Sequence, residues 1–314
     1  TLVARKCTVV MDTGAFNERG IMVTKNGSYA SPGPYRIPNV WIDGYTVYTN
    51  KPVSGAFRGF GVPQVCWAHE VHTEELTEQL NMDPIEFRRK NCFREGDVNW
   101  SGEKLESVGV EACLEAALQS IDWPRKRNNS GNIRRGRGIA IMQKSVTTFA
   151  SGSTLKINED GTVNVHVAAV DCGQGSNTML GQIVAEELGV RPEDVVMASA
   201  DTDVGPFDWG TAASRVTFIM GTAVRRAAID ARNQLVERAA DQLEARPEDL
   251  FIRDGIIRFK SDPDGGMPIS DVYMGNHRQG GKGTPIMGTG AHTYEVTHLD
   301  ENGHGTKPTP FWLH

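Results

Sequence analysis

Gly55-Ala56-Phe57-Arg58-Gly59-Phe60-Gly61-Val62-Pro63-Gln64 is a glycine-rich turn that carries a single arginine and runs straight into a helical stretch. Gly55, Gly59 and Gly61 let the backbone take positive φ or approach a ligand closely, and Pro63 stands where a first helical residue would be. Free backbone N–H groups, a helix N-terminus and the Arg58 guanidinium together make a site for an anion or an oxo ligand. The same spacing also suits a purely structural turn. Pro63 to Leu80 reads as the helix, with Val65, Ala68, Leu76 and Leu80 on one side.

Two later stretches repeat the design. Asp171-Cys172-Gly173-Gln174-Gly175 ends a strand and opens a helix, the place where open α/β layers put ligands. Gln174 offers an amide donor and a carbonyl acceptor between two glycines, while Cys172 reads as a small buried thiol. In Gly210-Thr211-Ala212-Ala213-Ser214-Arg215-Val216-Thr217 small residues allow close contact, and Ser214 can cap the helix that follows.

The rest of the chain gives these turns a frame. Short β-rich runs precede the first, at Cys7–Met11, Val40–Ile42 and Tyr45–Thr49, punctuated by Pro32, Pro34 and Pro38. A helix at Pro84–Asn91 with Asp83 as its cap and another at about Val108–Ile121 follow it. Trp123 to Gly138, with the basic run Arg125-Lys126-Arg127, reads as a solvated link between two domains, residues 1–130 and 131–314. Beyond it come strands at 138–143, 153–158 and 162–170, the last two joined by the turn signal Asp160-Gly161. Then come a helix at Thr178–Leu188, a strand at Val195–Ala198, a long helix at Val216–Leu243, and a hairpin of 250–253 and 256–259 turning at Asp254-Gly255. Arg-Pro-Glu-Asp occurs twice, at 191–194 and 246–249, a hint of two helix-to-strand units built alike.

Composition narrows the class. With 314 residues, two domains are favoured, and 34 glycines fit a loop-rich α/β protein better than a helical bundle. The formal net charge of -6 argues against nucleic acid and against an anionic membrane surface. No apolar run is long enough to span a bilayer. Cys7, Cys66, Cys92, Cys113 and Cys172 include no C-x-x-C pair, so reduced thiols in the cytoplasm are expected, without a zinc ribbon or cluster held by this chain. Gly280-Gly281-Lys282-Gly283-Thr284 lacks the Lys-Ser/Thr ending of a phosphate loop. His292, His298 and His304, with Asp300 and Glu301, share no ligand spacing, so no residue here is expected to bind a metal directly.

The three turns, in their order, resemble those of the molybdenum hydroxylases, the xanthine dehydrogenase and aldehyde oxidase family. The resemblance implies an α+β architecture of two molybdopterin-binding domains, each a mixed sheet with packed helices. It implies hydroxylation of an aldehyde or aromatic heterocycle with water-derived oxygen, electrons leaving through iron–sulfur clusters to FAD on partner chains or domains. By the same resemblance Arg58 faces the substrate, Gln174 contacts an oxo ligand of the molybdenum, and Gly173, Gly175, Ala213, Ser214 and Phe57 meet the cofactor. Phe60, Gln143 and Lys144 fall to the substrate pocket; for Phe57 and Phe60, core packing of at least one is the alternative.

The sequence also departs from the family. The glutamate of a Gly-x-Gly-Glu turn, the base of the hydroxylation, has no counterpart, since Gly102-Glu103 reads as a loop of the first domain. The early Gly-Gly-Phe-Gly turn is absent, and so is the Ala-Tyr-Arg-Cys loop of carbon monoxide oxidisers. The expectation is therefore a fragment or split subunit, inactive alone and completed by the remainder of the molybdenum subunit. The alternative is a non-catalytic cofactor-binding or assembly piece.

Overall fold

The structure is a computed structural model that describes residues 1–121, 123, 131–198, 200–272, 285–305 and 310–313. The basic run 125–127 and the glycine-lysine stretch 280–284 lie outside the described residues. The chain divides into two compact units, Thr1–Val146 with Val296–His314, and Thr147–Glu295.

In the first unit, β1 (Ala4–Gly14) and β2 (Asn39–Tyr48) pair in parallel, from Ala4 opposite Asn39 to Gly14 opposite Tyr48. Parallel neighbours need a crossover. That crossover is α1 (Gly20–Ala30), a helix absent from the sequence reading. It has no side-chain cap and contains Gly20, Gly27, Asn26 and Ser28, all weak helix formers, so its own propensity gives no signal. Tertiary contact makes it: a Cβ on Gly27 would lie 2.8 Å from the Met11 methyl. β2 also runs unbroken where two short runs were expected, because the bare Gly44 lets Ser28 of α1 approach to 2.5 Å of a Cβ position.

The turn leads into α2 (Val62–Gln79), followed by α3 (Pro84–Asn91) and α4 (Val110–Ser120). Asp83 caps α3 as expected, its Oδ1 accepting from the N–H groups of Ile85 (2.7 Å) and Glu86 (3.0 Å). The apolar face expected for α2 is not the buried one. Ala68 and Leu80 are exposed, while Val62, Val65, His69, Glu70, Thr73 and Thr77 point inward. The reason is a buried polar cluster. Glu70 accepts from Tyr35 Oη (2.5 Å), Arg88 Nε (3.0 Å) and the Ile141 N–H (3.0 Å), and lies 3.1 Å from His69 Nδ1.

The same cluster draws residues 131–146 into the first unit, although the linker reading assigns them to the second domain. Besides the Ile141 bond, Arg88 donates to the Ile139 carbonyl at 3.2 Å. Strand pairing begins only at β3 (Gln143–Ser145), later than the expected 138–143, and its antiparallel partner is Phe311–Leu313.

The second unit holds β4 (Ser151–Ile157), β5 (Val163–Val167), α5 (Ser176–Leu188), β6 (Val195–Met197), α6 (Gly221–Leu243), β7 (Leu250–Arg253), β8 (Ile256–Phe259), β9 (Asp262–Pro268) and β10 (Met287–His292). Its main sheet runs β10-β4-β5-β6, with β5 and β6 parallel and the other pairs antiparallel. Leu155, Val165, Leu180, Val224, Ala227 and Ala231 are core residues shared by sheet and helices. β10 escapes the sequence reading because it is built on glycine. A Cβ on Gly288 would lie 2.0 Å from the Ala227 carbonyl oxygen, so α6 sits against the bare backbone of that strand. β7, β8 and β9 form a second, antiparallel sheet, with Asp254 and Gly255 both at positive φ in the β7–β8 turn.

The two Arg-Pro-Glu-Asp stretches are indeed alike. Each is a single 3₁₀ turn closed by a bidentate pair, Arg191 to Asp194 at 2.9 and 2.9 Å and Arg246 to Asp249 at 2.9 and 3.0 Å.

Candidate cofactor-binding turns

In the first unit, Gly59, Phe60 and Gly61 take φ of 96°, 53° and 89°, three left-handed residues in a row. Within the turn, Phe60 N–H donates to the Phe57 carbonyl (2.8 Å) and Val62 N–H to the Gly59 carbonyl (3.2 Å). The N–H groups of Arg58, Gly59 and Gly61 donate to nothing among the described residues. Arg58 is exposed, and its guanidinium makes no hydrogen bond or ion pair among them either. Phe57 is 85% exposed and Phe60 half-buried, so neither packs in a core. A cavity of about 480 Å³ opens beside the start of the turn, walled in part by Met11, Gly20, Gly55 and Gln64.

Gln143 and Lys144 are buried on β3. Neither amide atom of Gln143 has a partner among the described residues. Lys144 Nζ donates to the Ser145 carbonyl (2.7 Å) and to Asn26 Oδ1 (3.2 Å), and burial pushes its pKa down to about 8. The unit thus brings Phe60 and Lys144 together through Asn26, whose Nδ2 donates to the Phe60 carbonyl at 2.5 Å. Asn26 escaped the sequence reading.

In the second unit, the turn at 171–177 is tied up by its own carboxylate. Asp171 Oδ1 accepts from Gly173 N–H (2.8 Å) and Gly175 N–H (3.2 Å), and Oδ2 from Asn177 N–H (3.1 Å). These backbone bonds, that from Asn177 foremost, hold Asp171 below the usual carboxylate range. The helix-start donors expected to face an anion are therefore engaged by Asp171. Gln174 also folds onto its own turn, Oε1 accepting from Cys172 N–H (2.6 Å) and Nε2 donating to the Val170 carbonyl and Ser176 Oγ (both 3.0 Å). Cys172 is exposed, not buried as its residue type suggested. What the turn leaves open is space: no atom lies within 4 Å of a Cβ built on Gly173 or Gly175.

The third turn holds two non-glycine residues at positive φ, Ala213 (51°) and Ser214 (57°). Such strain persists only where the surroundings over-determine it, here through Arg215. That fully buried guanidinium donates to the carbonyls of Phe149 (2.5 Å), Ala150 (2.9 Å) and Gly210 (3.1 Å) and to Ser151 Oγ (2.7 Å), and it pairs with buried Asp208. The cap position before the π turn Val216–Met220 is Arg215 and not Ser214, and no side chain caps it. Val170 N–H donates to Thr211 Oγ1 at 2.7 Å, which joins this turn to the one holding Gln174. Arg215 and Asp171 were both visible in the quoted motifs, one as the lone cation among small residues and one as an aspartate two residues ahead of a glycine.

Residues 1–92 match one molybdopterin cofactor-binding domain and residues 116–313 match a second. The chain belongs to the molybdopterin cofactor-binding family. It is 35% identical over 286 residues to the xanthine dehydrogenase molybdenum-binding subunit of Escherichia coli, covering 87% of this chain and 38% of that protein. Its fold overlays on the aldehyde oxidoreductase of Desulfovibrio desulfuricans with a TM-score of 0.73 at 25% identity, over 99% of this chain and 32% of that one. A likeness of fold alone extends to quinoline 2-oxidoreductase from Pseudomonas putida, with a TM-score of 0.78 at 23% identity, over 93% of this chain and 41% of the other. The chain therefore spans under half the length of the curated relatives it matches.

The residues of this molybdopterin-binding chain fit the cofactor. Bare glycine faces at 173, 175 and 210 leave room for close approach, a buried cation fixes the strained Ala213-Ser214 backbone, and the Arg58 turn has unspent donors. No group of three or more His, Cys, Asp or Glu among the described residues could hold a metal ion. No helix among them is long and apolar enough to cross a membrane.

Proposed function

We propose that this chain is the cofactor-holding middle of a cytoplasmic molybdenum hydroxylase, acting on an aldehyde or aromatic heterocycle with water-derived oxygen. The remainder of the molybdenum subunit would complete the site, and iron–sulfur and FAD subunits or domains would take the electrons. Bound molybdopterin supplies the molybdenum centre for two-electron oxidation. The observation that carries the reading is Arg58, an exposed guanidinium without a partner among the described residues, on a turn where the N–H groups of Arg58, Gly59 and Gly61 are unspent among them. Such a donor has no structural task among the described residues, so it is available to a substrate. One placed donor of this kind stabilises developing charge by about 3 kcal/mol, roughly a hundredfold in rate.

Gln174, Gly173, Gly175, Ala213, Ser214 and Phe57 contact the cofactor in this proposal, and Phe60, Gln143 and Lys144 shape the substrate side. Gln174 would exchange its bond to the Val170 carbonyl for one to the cofactor. The five free thiols support the reducing compartment. A second reading, a cofactor-holding piece without turnover of its own, is favoured by Gly102-Glu103: it lies in a loop, with Gly102 packed 2.9 Å from the Gly305 carbonyl oxygen at its Cβ position. The test uses the full-length protein with its natural partners. Arg58→Ala should lower turnover about a hundredfold while molybdenum and pterin stay near one per complex; equal loss of both would remove Arg58 from the substrate side.

A further inference from the structure

We propose that Asn26 is a positioning residue that holds the Arg58 turn in place by bonding it to β3; the inference rests on the substrate role of Arg58. The turn needs an outside hold. Among the described residues, the three consecutive left-handed residues, one of them Phe60, have two backbone bonds internal to 57–62 and a long one, at 3.4 Å, from Val65 N–H to the Gly61 carbonyl. The Phe60 carbonyl takes part in none of these and accepts from Asn26 Nδ2 at 2.5 Å. On its other side the same amide presents Oδ1 to Ser145 Oγ at 2.5 Å and to Lys144 Nζ at 3.2 Å.

The chemistry of the partners fixes which way this amide lies. A carbonyl only accepts and an ammonium only donates, so Nδ2 must face Phe60 and Oδ1 must face Lys144. Asparagine alone has a donor and an acceptor at this reach: aspartate has no donor, and leucine has neither. The backbone beneath is equally close. A Cβ on Gly27 would lie 3.2 Å from the Gly61 carbonyl oxygen, so α1 presses directly against the turn at the residue after Asn26.

Asn26→Asp separates the two bonds. It keeps the acceptor for Ser145 and Lys144 and sets an oxygen against the Phe60 carbonyl, so the turn is released while β3 is not. Ser145→Ala is the converse, sparing the Phe60 bond. Both variants are made in the full-length protein with its natural partners, and amide hydrogen exchange is followed at Phe60 and Val62 alongside turnover and molybdenum content. In Asn26→Asp the two amides should exchange at least tenfold faster. Because a misplacement of about 1 Å costs on the order of a hundredfold in rate, kcat should fall tenfold or more with molybdenum retained. In Ser145→Ala the exchange should stay within twofold of wild type. Unchanged exchange in Asn26→Asp overturns the inference, as does loss of molybdenum in step with kcat. Faster exchange with undiminished turnover in both Asn26→Asp and Arg58→Ala leaves the Asn26 hold standing and removes the substrate role of Arg58 instead.

Discussion

Replacing Glu70 by glutamine tests what holds the first unit together. The carboxylate is buried, and Oε1 serves Tyr35 and His69 while Oε2 serves Arg88 and the Ile141 N–H. A glutamine must turn its NH₂ toward one pair. The Tyr35 hydroxyl can rotate to accept, so the NH₂ settles there. What cannot relax is charge: the fully buried Arg88 loses an anionic partner and keeps only half-exposed Glu74, at 2.7 Å. Removing one partner of a buried pair costs about 3–5 kcal/mol, and the remaining Glu74 contact brings this to roughly 2–3 kcal/mol.

Urea unfolding of the full chain reads it, through tryptophan fluorescence. Trp41, Trp67, Trp100, Trp123 and Trp312 lie in the first unit and only Trp209 in the second, so the signal reports the unit that is perturbed. With a slope of about 3 kcal/mol per molar, the midpoint at pH 7 should fall by about 0.7–1 M. The sign with pH is a second check. Burial by itself raises the pKa of Glu70, but the His69 and Tyr35 bonds and the charges of Arg88 and His69 outweigh it and hold it below the ordinary value of 4.5. A depressed carboxylate stabilises above its unfolded pKa and loses that contribution as pH falls through the folded one. Wild type and Glu70→Gln should therefore converge as pH falls below 4.5. An unchanged midpoint at pH 7, or an equal gap at both pH values, would refute the reasoning.

Arg215→Leu should destabilise the second unit by about 3–5 kcal/mol, since it strands buried Asp208 and frees three carbonyls; Trp209 fluorescence during unfolding measures it. Lys144 gives a pH trend of the same sign as Glu70, in an alkaline window. Its folded pKa of about 8 lies under its ordinary 10.5, so between those values the unfolded chain binds the extra proton and stability rises with pH, by roughly 3 kcal/mol in total. Lys144→Met should flatten this rise in unfolding midpoints taken from pH 7 to 11.

The parts of the fold legible in the sequence are those closed by neighbours in the chain. Asp83 caps two residues on, Asp254-Gly255 turns a hairpin, and α5 shows Leu180, Val184 and Leu188 at helical spacing. α1 and β10 were illegible because glycine gives them no propensity, and only the surface pressed against them makes them regular. The buried face of α2 was misread because Glu70, Thr73 and Thr77 are inward polar residues whose partners come from Tyr35, Arg88 and Ile141. The turns themselves were readable from glycine spacing. How Asp171 engages the donors of one, and how Asn26 holds another, was not. Asn26 lies 34 residues from Phe60 and 118 from Lys144, and no local pattern carries such a pairing.

The two arginine–aspartate clasps act as pegs for strand phase. Each closes over four residues without long-range help, and β6 and β7 begin on the very next residue, at Val195 and Leu250. Side chains along a strand alternate in direction, so the clasp decides which of them reach the core. One residue inserted between Asp249 and Leu250 would take the place of Leu250, turn Leu250 outward and put Phe251 where Ile252 now stands, inverting β7 while leaving the clasp and the helix before it intact.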